Sequence, residues 1–124
     1  MITGIGIDIV DIERMEDKIS GDKGFREFVF SKDEIAYCNH QANPAQHYAA
    51  RFAAKEAFLK ASGEGLTISY KLSDIVVVSG DNGRPQLRLE GDFKILADKN
   101  SWTQFHISLS HSKTIATAFV IIEK

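Results

Sequence analysis

Glu56 and Lys60 stand four residues apart in the stretch Arg51-Phe52-Ala53-Ala54-Lys55-Glu56-Ala57-Phe58-Leu59-Lys60-Ala61. It reads as a helix whose charges are out of place. At about 100° per residue, with Ala49 as zero, Phe52 and Leu59 fall near 280–300° and Ala53 near 40°. Ala50, Ala54, Ala57 and Ala61 fall between about 80° and 140°. Glu56 and Lys60, at about 340° and 20°, lie in the middle of this apolar arc. Arg51 and Lys55, at about 200–240°, lie off it. Buried charges need a partner, a metal or a ligand. Three other residues could complete such a site: Asp8 at the end of an alternating stretch, and Ser110 and His111 in Ser108-Leu109-Ser110-His111-Ser112. Asp with Glu suits Mg²⁺, a hard ion that keeps several waters and is often completed by substrate phosphates. A nearby lysine suits a phosphate oxygen or a leaving group. Hydroxyls and an imidazole can also hold phosphate oxygens. The set points to metal-assisted phosphoryl transfer. The plain alternatives are a surface Glu–Lys pair, a capping or solvated Asp8 and a structural His111.

These residues need elements to hold them. Ile2 to Val10 alternates, with Ile5, Ile7 and Ile9 on one face and Gly4, Gly6, Asp8 and Val10 on the other. That pattern is a strand, and its glycines mark close approach by backbone or ligand. Asp11 is placed to cap a helix over Ile12–Ile19, which leaves Asp8 free. Gly21-Asp22-Lys23-Gly24 breaks that helix, and Phe25–Phe30 is a short helical turn. Ser31 and Glu34 form a capping box for a helix reaching about Asn39. The long helix runs from about Ala45 to Ala61 and stops at Gly63 and Gly65. Ile75–Val78 and Gln86–Leu89 flank the turn Asp81-Asn82-Gly83-Arg84-Pro85 as a hairpin. Asp92 is expected to cap a short helix carrying Phe93, Leu96 and Ala97. Phe105, Ile107 and Leu109 alternate with His106, Ser108 and Ser110. After a break at His111–Thr114, Ile115–Ile122 is apolar on both faces, as in a central strand. The class is α+β: a mainly antiparallel sheet packed against a long central helix, in one domain over 1–124.

The 124 residues suffice for one core. A hydrophobic fraction of 44% and a charged fraction of 26% are those of a soluble globular chain. The net charge of −2, with Lys and Arg not gathered in runs, argues against nucleic acid as a partner. The single cysteine, Cys38, allows no intrachain disulfide and no thiolate zinc site. No apolar run approaches membrane-helix length, and the start lacks a secretory pattern. A cytoplasmic location away from membranes is expected.

Three segments carry a resemblance: Gly4-Ile5-Gly6-Ile7-Asp8-Ile9-Val10, the Arg51–Ala61 stretch and Ile107-Ser108-Leu109-Ser110-His111-Ser112. Together and in this order they resemble the motifs of the holo-[acyl-carrier-protein] synthases, the short bacterial 4′-phosphopantetheinyl transferases. The Asn82-Gly83-Arg84-Pro85 turn also fits. The resemblance implies transfer of 4′-phosphopantetheine from coenzyme A to a serine of apo-acyl carrier protein, with Mg²⁺, releasing adenosine 3′,5′-bisphosphate. By the same resemblance Asp8 and Glu56 hold the metal. Glu56, or a water on the metal, takes the serine proton. Lys60 meets the leaving phosphate, Ser110 and His111 contact coenzyme A phosphates, and Arg51 contacts the 3′-phosphate. Lys55 is a weaker candidate for coenzyme A.

The resemblance further implies a homotrimer with active sites between subunits, where Asp8 and His111 of one chain face Glu56 and Lys60 of the next. It places Arg14 at the carrier-protein docking surface. Lys18, Lys23 and Arg26 follow, diluted by Glu13, Glu16, Asp17, Asp22 and Glu27. The alternative is a non-catalytic module of the same fold that only binds coenzyme A or the carrier protein. The presence of Asp8, Glu56, Lys60 and His111 together weighs against it.

Overall fold

The computed structural model describes residues 1–21, 24–64 and 71–124. The expectations for Asp22, Lys23 and Gly65 lie outside these residues. In chain order the elements are β1 (Ile2–Asp11), α1 (Ile12–Ser20), α2 (Phe25–Val29), α3 (Lys32–Asn39), α4 (Pro44–Ser62), β2 (Ile75–Ser79), β3 (Pro85–Leu89), α5 (Gly91–Lys99), β4 (Gln104–His111) and β5 (Ile115–Glu123). A 3₁₀ turn at Leu72–Asp74 leads into β2. Among the described residues two antiparallel sheets form, one ordered β1-β5-β4 and the other the β2-β3 hairpin. β5 is central, as its two apolar faces predict. No helix among the described residues is long and apolar enough to cross a membrane.

α4 lies across the three-stranded sheet. Its apolar residues Ala49, Ala53, Ala57 and Phe58 are fully buried, as are Ala116, Val120 and Ile122 of β5. The glycines of β1 are what allow this approach. A Cβ at Gly4 would stand 1.8 Å from the carbonyl oxygen of Ala61, and one at Gly6 1.9 Å from that of Ala57. The close approach expected from these glycines is made by the helix backbone. The face of β1 with the larger side chains points the other way, and Ile5, Ile7 and Ile9 are more than half exposed. Phe119 of β5, paired with Ile7, continues that open apolar face. At one end of the core, Phe58 meets Phe93, Trp102 and Phe105, with ring centroids 5.8, 6.1 and 5.9 Å away.

Local chemistry sets the ends of the elements. Asp11 caps α1 by accepting from the Arg14 amide. Ser31 and Glu34 make both bonds of the capping box. α4 starts at Pro44, whose fixed φ and missing N–H suit a first helical position, and ends at Gly63 with φ +75°. One cap differs from expectation. Asp92 does not cap α5: the N-cap is Glu90, without a side-chain bond, because the helix already begins at Gly91.

The burial expected around α4 is reversed. Lys55 is 0% exposed and Arg51 5%, while Glu56 is half-buried and Lys60 exposed. The helix is covered on nearly every side, so its apolar arc does not mark one buried face. Lys55 turns toward α3 and β2, where partners distant in sequence receive it. Its Nζ donates to Glu34 Oε1 at 2.7 Å, to the Leu72 carbonyl at 3.0 Å and to the Ile75 carbonyl. These acceptors use all three N–H bonds of the ammonium. Glu34 also accepts from the amides of Ser31 and Val77. Burial pushes the Lys55 pKa below the ordinary lysine range, and Glu34 pulls it back. Lys55 is therefore a structural charge that ties α4 to α3 and β2, not a coenzyme A ligand.

Candidate active site

The strand that Gly4 and Gly6 lay on α4 carries Asp8 beside the last turns of that helix. Lys60 Nζ reaches Asp8 Oδ1 and the Ile7 carbonyl, each at 3.0 Å. The Asp8 side chain is 19% exposed and that of Lys60 57%. Glu56, one turn back on α4, lines a cleft of about 180 Å³ with Asp8, Asp11, Arg14, Lys18 and Phe52. Burial, and then the charge of Asp8, raises the Glu56 pKa above the ordinary carboxylate value. Lys60 and Lys18 act in the opposite direction. Glu56 makes no hydrogen bond or ion pair among the described residues, although it is close enough to Asp8 to feel its charge.

Asp8, Glu56 and Lys60 thus meet within one chain. The expectation that Asp8 faces Glu56 and Lys60 across a subunit boundary is corrected. The reason is the glycine face of β1, which seats Asp8 on its own α4.

Two carboxylates and a lysine suit a divalent ion of the Mg²⁺ type. The half-buried, unpaired Glu56 and its mutual repulsion with Asp8 would both be relieved by a cation. Among the described residues no group of three or more His, Cys, Asp or Glu forms a metal cage.

Arg51, Ser110 and His111 lie elsewhere. They line a cavity of about 720 Å³ between α4, the β2-β3 hairpin and the edge strand β4. Arg51 and Glu56 project about 140° apart around α4, and the cavity shares no lining residue with the Asp8–Glu56 cleft. Arg84, His47, His106, Gln46 and Tyr37 also line it, and no Asp or Glu does. His111 Nε2 is 2.8 Å from Gln46 Nε2. Burial, and then the charges of Arg51 and His111, lower the His47 pKa. Arg51 and Arg84, whose guanidinium groups are always protonated, bring fixed positive charge to the cavity. The Nε of Arg51 is buried and has no hydrogen-bond partner among the described residues. A buried donor left unpaired costs free energy, and an anion would satisfy it.

Sequence reasoning missed several of these residues. Tyr37, Gln46 and His47 are brought to Arg51 by the packing of α3 and the first turn of α4. A signal was present in Tyr37, three residues after Glu34 and so on the same side of α3. Lys18 was left among the docking residues, yet its Nζ stands 5.4 Å from the Phe25 ring and 5.7 Å from the Phe52 ring, beside Glu56. Arg14 is exposed at the mouth of the same cleft. Arg26 is tied to Glu27 by a 2.8 Å ion pair.

Comparison with known proteins identifies the family of the chain. Residues 4–120 match the model of the 4′-phosphopantetheinyl transferase superfamily. The chain is 48% identical to the holo-[acyl-carrier-protein] synthase of Syntrophus aciditrophicus, over 99% of this chain and 97% of that one. Among solved structures, the holo-[acyl-carrier-protein] synthase of Neisseria meningitidis superposes with a TM-score of 0.90 at 29% identity, covering 100% of both chains. The Helicobacter pylori synthase in complex with coenzyme A gives 0.84 at 31% identity, covering 96% of this chain and 99% of that one. The chain belongs to the 4′-phosphopantetheinyl transferase superfamily and is an enzyme of that class.

Proposed function

We propose that this protein, acting as one domain, transfers 4′-phosphopantetheine from coenzyme A to a serine of apo-acyl carrier protein. The products are holo-acyl carrier protein and adenosine 3′,5′-bisphosphate, and the process served is fatty acid synthesis in the cytoplasm. The observation that carries the reading is the meeting of Asp8, Glu56 and Lys60 from distant parts of one chain. The separate basic cavity around Arg51 supports it, since coenzyme A carries phosphates at two places. The relatives named above include a structure with coenzyme A bound.

In the transfer, the serine oxygen bonds to the pantetheine-side phosphorus of the pyrophosphate. The bond from that phosphorus to the bridging oxygen breaks, and adenosine 3′,5′-bisphosphate leaves with the electron pair. Glu56, half-buried and without a bonded partner among the described residues, would accept the serine proton. Asp8 and Glu56 are the residues that would hold Mg²⁺, which when bound would stabilise charge on the phosphate oxygens. Lys60, exposed and now on Asp8, has the reach to neutralise the leaving phosphate. Arg51, His111 and Ser110 hold the nucleotide end. Arg14 beside the cleft presents a cation to the acidic carrier protein.

The separation of the two regions also bears on assembly. A coenzyme A molecule held at both ends fits a site in which the Asp8–Glu56–Lys60 corner of one chain meets the basic cavity of a neighbour. The open apolar face of Ile5, Ile7, Ile9 and Phe119 favours self-association, here read as a homotrimer. The functional test is incubation with coenzyme A, Mg²⁺ and apo-acyl carrier protein, followed by mass spectrometry. One serine gains one 4′-phosphopantetheine group, and chelation abolishes the gain. A competent carrier protein that gains no mass would overturn the proposal.

A further inference from the structure

Arg51 is held from the side by an aromatic ring. Its guanidinium carbon sits 4.2 Å from the ring centre of Tyr37. The Tyr37 ring in turn meets the His47 ring at 5.8 Å and 74°. All three residues line the basic cavity.

This contact is the second rung of a ladder between α3 and α4. On α3, Glu34 and Tyr37 are three residues apart; on α4, Lys55 and Arg51 are four apart. Both spacings place the two side chains on one side of a helix. The Glu34–Lys55 ion pair is the buried rung and fixes the two helices against each other. One turn away, the same register sets Tyr37 against Arg51. The buried rung has all three ammonium donors of Lys55 used, whereas the Arg51 rung keeps a buried Nε without a partner among the described residues. Tyr37 is 38% exposed, so its ring is not simply core.

A ring packed on the face of a guanidinium leaves its in-plane N–H donors for oxygen, and those donors match phosphate geometry. It also limits the rotamers of a long side chain before the ligand arrives, which lowers the cost of binding.

We propose that Tyr37 is a positioning residue for the nucleotide end of coenzyme A, its ring being the platform that holds Arg51 ready for the 3′-phosphate. The proposal rests on the assignment of Arg51 to that phosphate. It makes Tyr37 a determinant of the preference for coenzyme A over 3′-dephospho-coenzyme A. The ring matters and the hydroxyl does not. The effect falls on binding and not on the chemical step.

The test uses the full-length protein with Tyr37→Leu, Tyr37→Phe and Arg51→Ala, each checked for an unchanged melting temperature. In Tyr37→Leu the KM for coenzyme A rises about tenfold with kcat within about twofold, a loss in the range of a partly desolvated cation–ring contact. The KM for 3′-dephospho-coenzyme A stays put, so the preference between the two shrinks. Tyr37→Phe behaves as the parent. NMR supplies a readout free of substrate: the Arg51 Nε–H resonance is displaced by the ring in the parent and in Tyr37→Phe, and moves in Tyr37→Leu. An unmoved resonance in Tyr37→Leu overturns the proposal. So does an equal rise in KM for both nucleotides, or a Tyr37→Phe variant as impaired as Tyr37→Leu. Arg51→Ala judges the underlying assignment by itself. If it keeps the preference for coenzyme A, Arg51 does not read the 3′-phosphate and the proposal falls with that assignment. If it loses the preference while Tyr37→Leu keeps it, only the platform is wrong.

Discussion

Two lysines on α4 show what a closed ion pair and an open cluster of charges do differently with the same chemistry. Lys55 and Glu34 are both fully buried, and each spends its hydrogen-bonding capacity on fixed partners. Lys60 is 57% exposed, shares Asp8 with solvent and sits near a carboxylate, Glu56, that has no bonded partner among the described residues. The first set is closed and can take no ligand. The second is open, with like charges close together and room for a cation. Satisfaction of the polar groups, more than burial, separates the structural pair from the candidate site.

The largest expected effect breaks the closed side. Lys55→Ala or Glu34→Ala leaves a charge buried without its partner and should cost about 3–5 kcal/mol. Urea denaturation reads this directly. On the open side, Glu56→Gln should lower transfer by about 10²-fold or more, as loss of a proton acceptor does. Its stability should be no lower than that of the parent. The sign follows from the raised pKa: the folded chain carries the Glu56 charge at a penalty that is absent below the unfolded pKa and complete above the folded one. Removing the charge at neutral pH removes that penalty. Calorimetry beside the transfer assay separates the two outcomes.

Gly6→Ala tests how the open side is assembled. Its Cβ would run into the Ala57 carbonyl, so α4 must back away from β1. A loss of about 1–3 kcal/mol is expected, with activity falling further than nucleotide binding, since Asp8 rides on β1 and Arg51 does not. Binding of adenosine 3′,5′-bisphosphate by calorimetry, set against transfer rate, measures the difference. The smallest effect is on pH. In the metal-free protein Glu56 should keep its proton above the ordinary carboxylate range, as read from the pH dependence of its side-chain carboxyl resonance. Lys60 opposes that shift, so in metal-free Lys60→Met the Glu56 titration should move further upward.

Much of this was legible in the chain. Strand alternation, the Asp11 cap, the Ser31–Glu34 box and the central β5 all follow from local rules. The glycines of β1 announced a close approach, and Asp8 was singled out because Asp11 took the cap. What failed was the helical wheel. It placed Glu56 and Lys60 in the core and Arg51 and Lys55 outside, because it assumes one buried face. α4 has almost no free face, and the partners of Lys55 are 17 to 21 residues away, on elements the wheel does not contain. Tyr37 stayed hidden for the same reason: its value depends on the register between α3 and α4, which Glu34 and Lys55 set. The meeting of Asp8 with Lys60 inside one chain was also not legible, since the sequence does not show which α4 a glycine strand lies on.

The central claim is that Asp8 and Glu56 of one chain hold a single divalent ion while Glu34 and Lys55 hold only the fold. Its most direct measurement is Mn²⁺ binding followed by electron paramagnetic resonance in the presence of coenzyme A, on the parent, Asp8→Asn and Glu56→Gln. The account predicts one ion per chain in the parent and loss of that ion in both folded variants. An ion retained at parental affinity in Glu56→Gln would contradict it.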